Sequence, residues 1–294
     1  MRIKAVSLLP GALLAGWLFW APFVGAQESE VLMPDESAAK AMQLIHQAID
    51  ALGGAKYLNV RTVTCTGKLG QFSHQGELSG YEKFVDYAEP PYRDRTENIP
   101  KRNIISIFDK DKGWILDRGG VADAAETDLA RFEEDIEKDI YNILRNRIHE
   151  PGMILRYGGR DVVDLKEADW VELVDSENRT IRIAFARSSH LPIRKVVDTR
   201  DPNSQMKSEE TEYYSLYMSI DGIETPYQVT RDRNGLKVYQ VFFDKCEYNT
   251  GLSDSLFTKE SLEQRWSEVG KKDKNKKDKP DKNDKDDKDS KFRN

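Results

Sequence analysis

Apolar residues recur at the spacing of an amphipathic helix in two stretches of this chain. In the first, they follow one another at helical intervals until two glycines end the pattern; these residues are Met42, Ile45, Ile49, Leu52, Gly53 and Gly54. In the second, residues 124–148, one face is apolar, acids crowd the first turns, and Arg145 and Arg147 lie near the end. This charge placement complements a helix dipole. The pattern therefore predicts two helices, each with one buried face.

Around these helices, apolar and polar residues alternate in short runs that are typical of β-strands. Turn dipeptides such as Asp221-Gly222 and Asn234-Gly235 separate the runs, which favours antiparallel hairpins over parallel crossovers. The predicted strands are residues 61–70, 76–87, 92–99, 104–108, 114–117, 154–157, 161–165, 170–174, 180–186, 193–199, 209–220, 225–233 and 236–248. One large antiparallel meander with two helices beside it is an α+β architecture.

The N-terminal residues 1–26 have the pattern of a cleavable secretory signal peptide. A positive start precedes an uncharged apolar run over residues 5–23, and small side chains end at Ala26. An uncleaved membrane anchor is the alternative, since the run is about long enough to span a bilayer. Pro10 and Pro22 disfavour one continuous helix and so favour cleavage. We expect an exported chain that is soluble once the signal is removed.

The C-terminal residues 270–294 consist almost entirely of Lys, Asp and Asn, which predicts a disordered tail. Residues 34–269 are then a single folded domain. The chain carries a formal net charge of −6, and because the tail is net basic, the domain itself is more acidic than the whole. An acidic domain is a poor electrostatic partner for nucleic acid, so no nucleic-acid partner is expected.

Two cysteines, Cys65 and Cys246, lie in predicted strands at opposite ends of the domain. In an oxidising compartment they could form a disulfide if those strands are neighbours. Two separate buried thiols are the alternative, and the sequence does not choose between them.

A search for chemistry finds no catalytic constellation. The four histidines, His46, His74, His149 and His190, are not at metal-ligand spacing, and no zinc, nucleophile-elbow or phosphate-loop motif occurs. We therefore expect no metal, no cofactor and no enzyme activity. What remains is a set of aromatic residues in the strands. They either fill a core or line an apolar cavity between a curved sheet and its helices.

Several short motifs, in their order along the chain, resemble the periplasmic lipoprotein carrier superfamily (LolA-like, outer-membrane lipoprotein-sorting). They are Leu52-Gly53-Gly54, Thr64-Cys65-Thr66-Gly67, Glu89-Pro90-Pro91-Tyr92-Arg93, Leu191-Pro192-Ile193-Arg194 and Asp221-Gly222-Ile223-Glu224-Thr225-Pro226. The resemblance implies a mainly antiparallel, curved, unclosed β-barrel whose concave face is covered by helices. It also implies a periplasmic location. Members bind acyl chains of lipoproteins or other hydrophobic ligands, or act as envelope sensors.

The sequence thus predicts a periplasmic, non-enzymatic protein that binds a lipid or the acyl chains of a lipoprotein. The alternative is an envelope sensor or protein-interaction module of the same fold, with an envelope protein as its partner. The predicted cavity lies between the sheet and residues 124–148, and its candidate lining residues are Phe84, Phe108, Trp114, Phe132, Ile136, Ile140, Trp170 and Phe185.

Overall fold

The computed structural model describes residues 32–99, 104–200 and 207–277. The predicted signal peptide and the end of the charged tail lie outside these residues. In chain order the elements are α1 (Pro34–Leu52), α2 (Ala55–Leu58), β1 (Val63–Phe72), β2 (Leu78–Glu89), β3 (Arg93–Ile99), β4 (Ile104–Asp109), β5 (Lys112–Asp117), β6 (Gly120–Asp123), α3 (Glu126–Lys138), α4 (Ile140–Arg145), a 3₁₀ turn (Arg147–His149), β7 (Ile154–Val163), β8 (Lys166–Val174), β9 (Thr180–Ala186), β10 (Pro192–Arg200), β11 (Lys207–Ile220), β12 (Ile223–Arg233), β13 (Leu236–Tyr248), a second 3₁₀ turn (Asp254–Phe257) and α5 (Lys259–Lys277).

The described strands form one antiparallel sheet in the order β6-β5-β4-β3-β2-β1-β13-β12-β11-β10-β9-β8-β7. Two meanders, β1 to β6 and β7 to β13, meet where β1 pairs with β13, and the sheet does not close. The turns at Asp221-Gly222 and Asn234-Gly235 have positive φ at both residues, as the tightest hairpin turns require. The predicted fold class, a curved and unclosed antiparallel sheet with helices, is confirmed.

The seam between the two meanders carries a disulfide. Cys65 on β1 stands directly opposite Cys246 on β13, and the two Cα atoms are 4.2 Å apart. That separation belongs to the closely spaced type of antiparallel residue pair, in which facing side chains approach most closely. The structure joins the two cysteines covalently.

The helices cover the concave face because of the order of the strands. β6 and β7 are the two edges of the sheet, so the chain between them has to cross that face. The crossing segment is two helices, and the prediction of one helix over residues 124–148 is wrong at Asp139. This residue is extended, and its carboxylate accepts a hydrogen bond from the Asn142 amide at 2.7 Å. Asp139 therefore ends α3 and caps α4.

The concave face over β8 to β12 is filled. The largest apolar cluster of the domain joins α1 and α4 to the sheet; its members include Ala41, Ile45, Ile49, Leu52, Ile143, Leu144, Leu173, Ile181, Ile183 and Phe185. Burying each Ile, Leu or Phe side chain contributes about 1.5–3 kcal/mol of transfer free energy. This half of the fold is a packed core and holds the rest in place.

The opposite face of β4 and β5 is covered by α5, a helix that the sequence analysis did not predict. Phe257 and Leu262 pack there on Ile105, Ile107 and Leu116. The helix continues to Lys277, past Gly270 and into the stretch for which the sequence predicts disorder. Lysine is a good helix former, so it extends a helix that is already packed at its start. Within the described residues, no helix is both long and apolar enough to cross a membrane.

The edge strand β7 is one element rather than the two short strands predicted. The register between β7 and β8 shifts between Tyr157 and Gly159, and Gly159 has a positive φ of 90°. This bulge lets the pairing continue through Gly158 and Gly159, between the two strands that were predicted.

Candidate ligand cavity

A cavity of about 720 Å³ lies between the concave face of the sheet and the helices α3 and α4. Its volume is within the range of roughly 300–1,000 Å³ that is usual for small-molecule pockets. Apolar side chains from five strands form much of the wall; they are Val63, Ala88, Ile115, Val229, Val241 and Phe243. The cavity begins where the packed core under α1 ends.

Four of the eight predicted lining residues meet at this cavity. Phe132, Ile136 and Ile140 face it from the helical side, and Phe108 faces it from β4. The rings of Phe108 and Phe132 are stacked with their centroids 4.6 Å apart. This contact between sheet and α3 adds about 0.5–1.5 kcal/mol beyond the area it buries.

The prediction that Trp114, Trp170 and Phe185 belong to this cavity is not supported by their positions. Trp114 packs on the opposite face under α5. Trp170 packs in a small cluster with Val163 and Ile193. Successive side chains of a strand point to opposite faces of the sheet. If the alternation is assigned one residue out of step, a side chain is predicted on the wrong face. Phe185 is on the concave face but is buried in the core beneath α1.

Phe84 lies next to the cavity and does not line it. Its ring covers Gly67, where an added Cβ would be 3.0 Å from the ring. It also meets Phe243 edge to face, with centroids 5.9 Å apart. Gly67 is needed above all because a Cβ there would clash with the backbone carbonyl oxygen of Phe242, and the Phe84 ring closes the site further.

One group of charged side chains faces the cavity from β10 to β12. Glu212 accepts hydrogen bonds from Lys195 at 2.7 Å, from Arg231 at 2.6 Å and from the Tyr214 hydroxyl at 2.5 Å. Lys195 is only 2% exposed. Burial alone would raise the pKa of Glu212, but Lys195 and Arg231 outweigh it and lower the pKa to about 2. Glu212 is therefore ionised and forms ion pairs with both Lys195 and Arg231.

The same group fastens α3 to the sheet. Arg231 also binds Asp135 of α3 at 2.9 Å, and Lys195 donates a hydrogen bond to the carbonyl of Lys138 at the end of α3. Lys138 itself contacts Glu210 of β11 at 3.5 Å. These contacts fix the C-terminal end of α3, the helix that covers the cavity.

A second group of acids faces the cavity from β2 and β3, and it is built differently. The Thr96 hydroxyl lies 2.9 Å from Asp86 and 3.2 Å from Asp94. Within the described chain, neither aspartate has an ion pair with a lysine or arginine. Burial raises the pKa of both carboxyls, and in Asp94 the adjacent Asp86 raises it further. The pair therefore favours protonation and lowers the charge of this wall.

Arg145, at the end of α4, also lines the cavity. Its guanidinium lies over the Tyr57 ring at 4.5 Å and near the Tyr141 ring at 5.7 Å. Its Nε is buried and has no hydrogen-bond partner. Tyr57 is completely buried beneath it. Burial raises the pKa of Tyr57, and the charge of Arg145 acts against that rise.

The cavity offers shape and apolar surface. Within residues 32–99, 104–200 and 207–277, no three His, Cys, Asp or Glu side chains come together as metal ligands would. Its acids pair with cations, share hydrogen bonds with Thr96 or, in the case of Asp139, cap a helix. The arrangement can enclose an apolar chain and present a few polar groups to its ends.

The sequence analysis missed every polar residue of this cavity. One signal was available for Asp86, because it lies two residues after Phe84 on the same strand and so on the same face. No comparable signal marked Glu212, whose partners come from β10 and β12. Arg145 was noticed only for its favourable place near a helix end.

Two solved structures share this fold over nearly their whole length. A DUF1329 family protein from Desulfovibrio piger matches with a TM-score of 0.54 at 12% identity, covering 76% of this chain and 98% of its own. A domain assigned to outer-membrane lipoprotein sorting, from Vibrio parahaemolyticus, matches with a TM-score of 0.51 at 12% identity, covering 77% and 99%. No known family model matches the sequence, and no curated protein does.

These likenesses, at 12% identity, concern the fold alone. The chain has the fold of LolA-like outer-membrane lipoprotein-sorting domains, so the resemblance drawn from the sequence motifs is confirmed at that level.

Proposed function

We propose that this chain is an exported, non-enzymatic binding protein that carries a hydrophobic ligand, a lipid or the acyl chains of a lipoprotein. The observation that carries the proposal is the cavity of about 720 Å³ between the sheet and α3–α4, with its apolar wall. The signal pattern of residues 1–26 supports export to the periplasm. The printed name of the Vibrio parahaemolyticus domain, which concerns lipoprotein sorting, points in the same direction.

The energetics of such a site favour an acyl chain. Each buried methylene contributes about 0.8 kcal/mol, so ten methylenes give on the order of 8 kcal/mol before the costs of association. The raised pKa of Asp86 and Asp94 helps, because a protonated acid pair costs less to cover with hydrocarbon than two carboxylates do.

The test is to fill the cavity from within. Ala88 lines the wall at a place where a tryptophan would occupy ligand space. We expect Ala88→Trp to weaken binding of a fluorescent fatty acid at least about 10-fold, because several methylenes lose their contact surface. Val162→Trp is the matched control, since Val162 is 62% exposed on the edge strand β7; its affinity should stay within about two-fold of the wild type.

Native mass spectrometry of the purified mature chain should show co-purified lipid. Empty wild-type protein that also fails to bind the fluorescent fatty acid contradicts the proposal. Equal affinity of Ala88→Trp and the wild type would place the ligand outside this cavity.

A second function, binding a protein partner at a sheet edge, is favoured by one observation. Val162 lies near the end of the edge strand β7, and Leu165, in the turn that follows, is 98% exposed. Exposed apolar residues on a sheet edge favour pairing with another chain. A Val162→Lys/Leu165→Asp variant that loses an envelope partner yet still binds the fatty acid would favour this function. Removing residues 271–294 tests whether the tail contributes.

A further inference from the structure

We propose that Arg145 binds the anionic head group of the ligand, a carboxylate or a phosphate, so that the cavity selects anionic amphiphiles over neutral ones. This inference rests on the proposed function, because it names the residue that binds the head group of a ligand whose hydrocarbon contacts the apolar wall.

Arg145 differs from the other basic residues of the cavity in having no acidic partner. Arg93 is paired with Glu89 at 2.8 Å, Arg131 with Asp128 at 3.4 Å, and Arg231 with Glu212. For Arg145, none of the described Asp or Glu side chains lies within ion-pair distance. An unpaired cation at the wall of a partly apolar cavity is costly, and a ligand anion would remove that cost.

The geometry around Arg145 leaves its hydrogen-bonding edge available. The guanidinium lies over the Tyr57 ring and near the Tyr141 ring. Burial raises the pKa of Tyr57, and a hydrogen bond from Arg145 acts against that rise. The Arg145 Nε is buried against the protein. Arginine carries five N–H donors, so these contacts leave others for a ligand at the cavity wall. Planar donors of this kind match carboxylate and phosphate oxygens.

The nearest acid does not replace a ligand anion. Burial raises the pKa of Asp139, while Lys195 and Arg145 act in the opposite direction. The Asp139 carboxylate is used to cap α4 through the Asn142 amide. It is therefore committed to the helix start, and no ion pair joins it to Arg145.

Arg145 also lies beside β13, which forms part of the apolar wall. It is close enough to Tyr248 to lower the pKa of that tyrosine, against the larger effect of burial. Phe243 and Val241 of the same strand line the cavity together with Arg145. A head group at Arg145 therefore places the hydrocarbon against these two side chains.

The net negative charge of the chain does not prevent an anionic head group from binding at Arg145. The net charge of −6 acts on distant ions and is screened beyond about 10 Å at ordinary ionic strength. Within the cavity, the affinity depends on the groups in contact with the head group.

The experiment compares head groups of one chain length in competition with the neutral fluorophore N-phenyl-1-naphthylamine. The ligands are palmitate, palmitoyl lysophosphatidic acid and, as the neutral reference, monopalmitoylglycerol. For the wild type we expect at least one anionic ligand to bind about 10-fold more tightly than the neutral one, the usual effect of a charge-assisted hydrogen bond. The better of the two anionic ligands identifies the head group as carboxylate or phosphate.

Arg145→Gln should abolish this preference by weakening the anionic ligands about 10-fold while leaving monopalmitoylglycerol unchanged. Arg145→Lys should keep part of it. Arg131→Gln is the matched control, because Arg131 lies at the same cavity with a side chain that is 70% exposed and paired with Asp128; the preference should persist.

A wild-type protein that binds all three ligands equally overturns the assignment of Arg145 and leaves the carrier function standing. A loss in Arg145→Gln that is equal for neutral and anionic ligands also overturns it. Failure of every ligand to displace the fluorophore overturns both proposals. If Arg145→Gln does not fold, the wild-type series and Arg145→Lys decide.

Discussion

Two groups of acids face the same cavity, and the fold stabilises them in opposite ways. Glu212 is surrounded by Lys195, Arg231 and a tyrosine hydroxyl, and its pKa falls to about 2. Asp86 and Asp94 have only Thr96 between them, and their pKa values rise. The first group keeps its charge by pairing, and the second lowers its charge by protonation.

The difference shows how a cavity for hydrocarbon tolerates polar residues. On the Glu212 side, the charges cancel locally and the same contacts hold α3 on the sheet. On the Asp86 side, burial raises the pKa of both carboxyls, which favours protonation and so a lower charge on this wall.

The largest expected effect comes from breaking the paired group. Glu212→Gln leaves Lys195 buried without its anion and Arg231 with Asp135 alone, which costs about 3–5 kcal/mol. Urea unfolding at neutral pH measures this loss. The control is Glu247→Gln, which breaks an exposed pair with Lys245 and should cost less than about 1 kcal/mol. Similar losses in both variants would show that the buried group is not held by its charges.

The same group has a defined pH dependence. Because the pKa of Glu212 falls from 4.5 to about 2 on folding, its stabilisation is fully present above pH 4.5 and is lost as the pH falls toward 2. The difference in unfolding free energy between the wild type and Glu212→Gln should therefore shrink over that window. A difference that stays constant down to pH 3 would contradict the assignment.

A smaller effect of opposite sign is expected in the unpaired group. At neutral pH Asp94 is ionised in the unfolded chain, whereas burial and Asp86 oppose ionisation in the folded one. Asp94→Asn should therefore stabilise the protein by about 1 kcal/mol at pH 7, and the gain should vanish below the ordinary pKa of 3.8. Asp111→Asn, in an exposed turn, should change little. Destabilisation by Asp94→Asn at pH 7 would show that an ionised Asp94 makes favourable contacts.

The smallest effect concerns the hydroxyl between the two aspartates. Thr96→Val removes a donor that one of the carboxylates accepts and should cost about 0.5–1 kcal/mol. Combined with Asp94→Asn, the loss should be smaller than in the wild-type background, because one acceptor is gone. Strictly additive effects in the double-mutant cycle would separate Thr96 from the acid pair.

Much of the fold could be predicted because it depends on local patterns. Alternation identified the strands apart from β6, although it divided β7 in two, and the Asp-Gly and Asn-Gly turns indicated antiparallel hairpins, as the order of the sheet bears out. Phe108 and Phe132 meet because the chain between the two edge strands crosses the concave face. That crossing follows from the strand order once the sheet is known.

The remaining features depend on distant contacts that periodicity does not encode. Trp114 and Phe108 lie on neighbouring strands and look alike in composition, yet they lie on opposite faces. The break at Asp139 needs a side chain to cap the next helix rather than extend the last one. The lack of an ion pair between Arg145 and any described Asp or Glu side chain is likewise visible only in the folded domain.

The pairing of the first strand with the last also governs the order in which the domain can assemble. Each meander consists of neighbours in sequence and can form from local contacts, whereas the seam at Cys65 and Cys246 joins residues 181 positions apart. Closing such a long loop is slow relative to hairpin formation. The cavity includes strands from both sides of that seam. It therefore exists only after the final strand has docked, and a chain cut short before β13 would contain two half-sheets with no binding site.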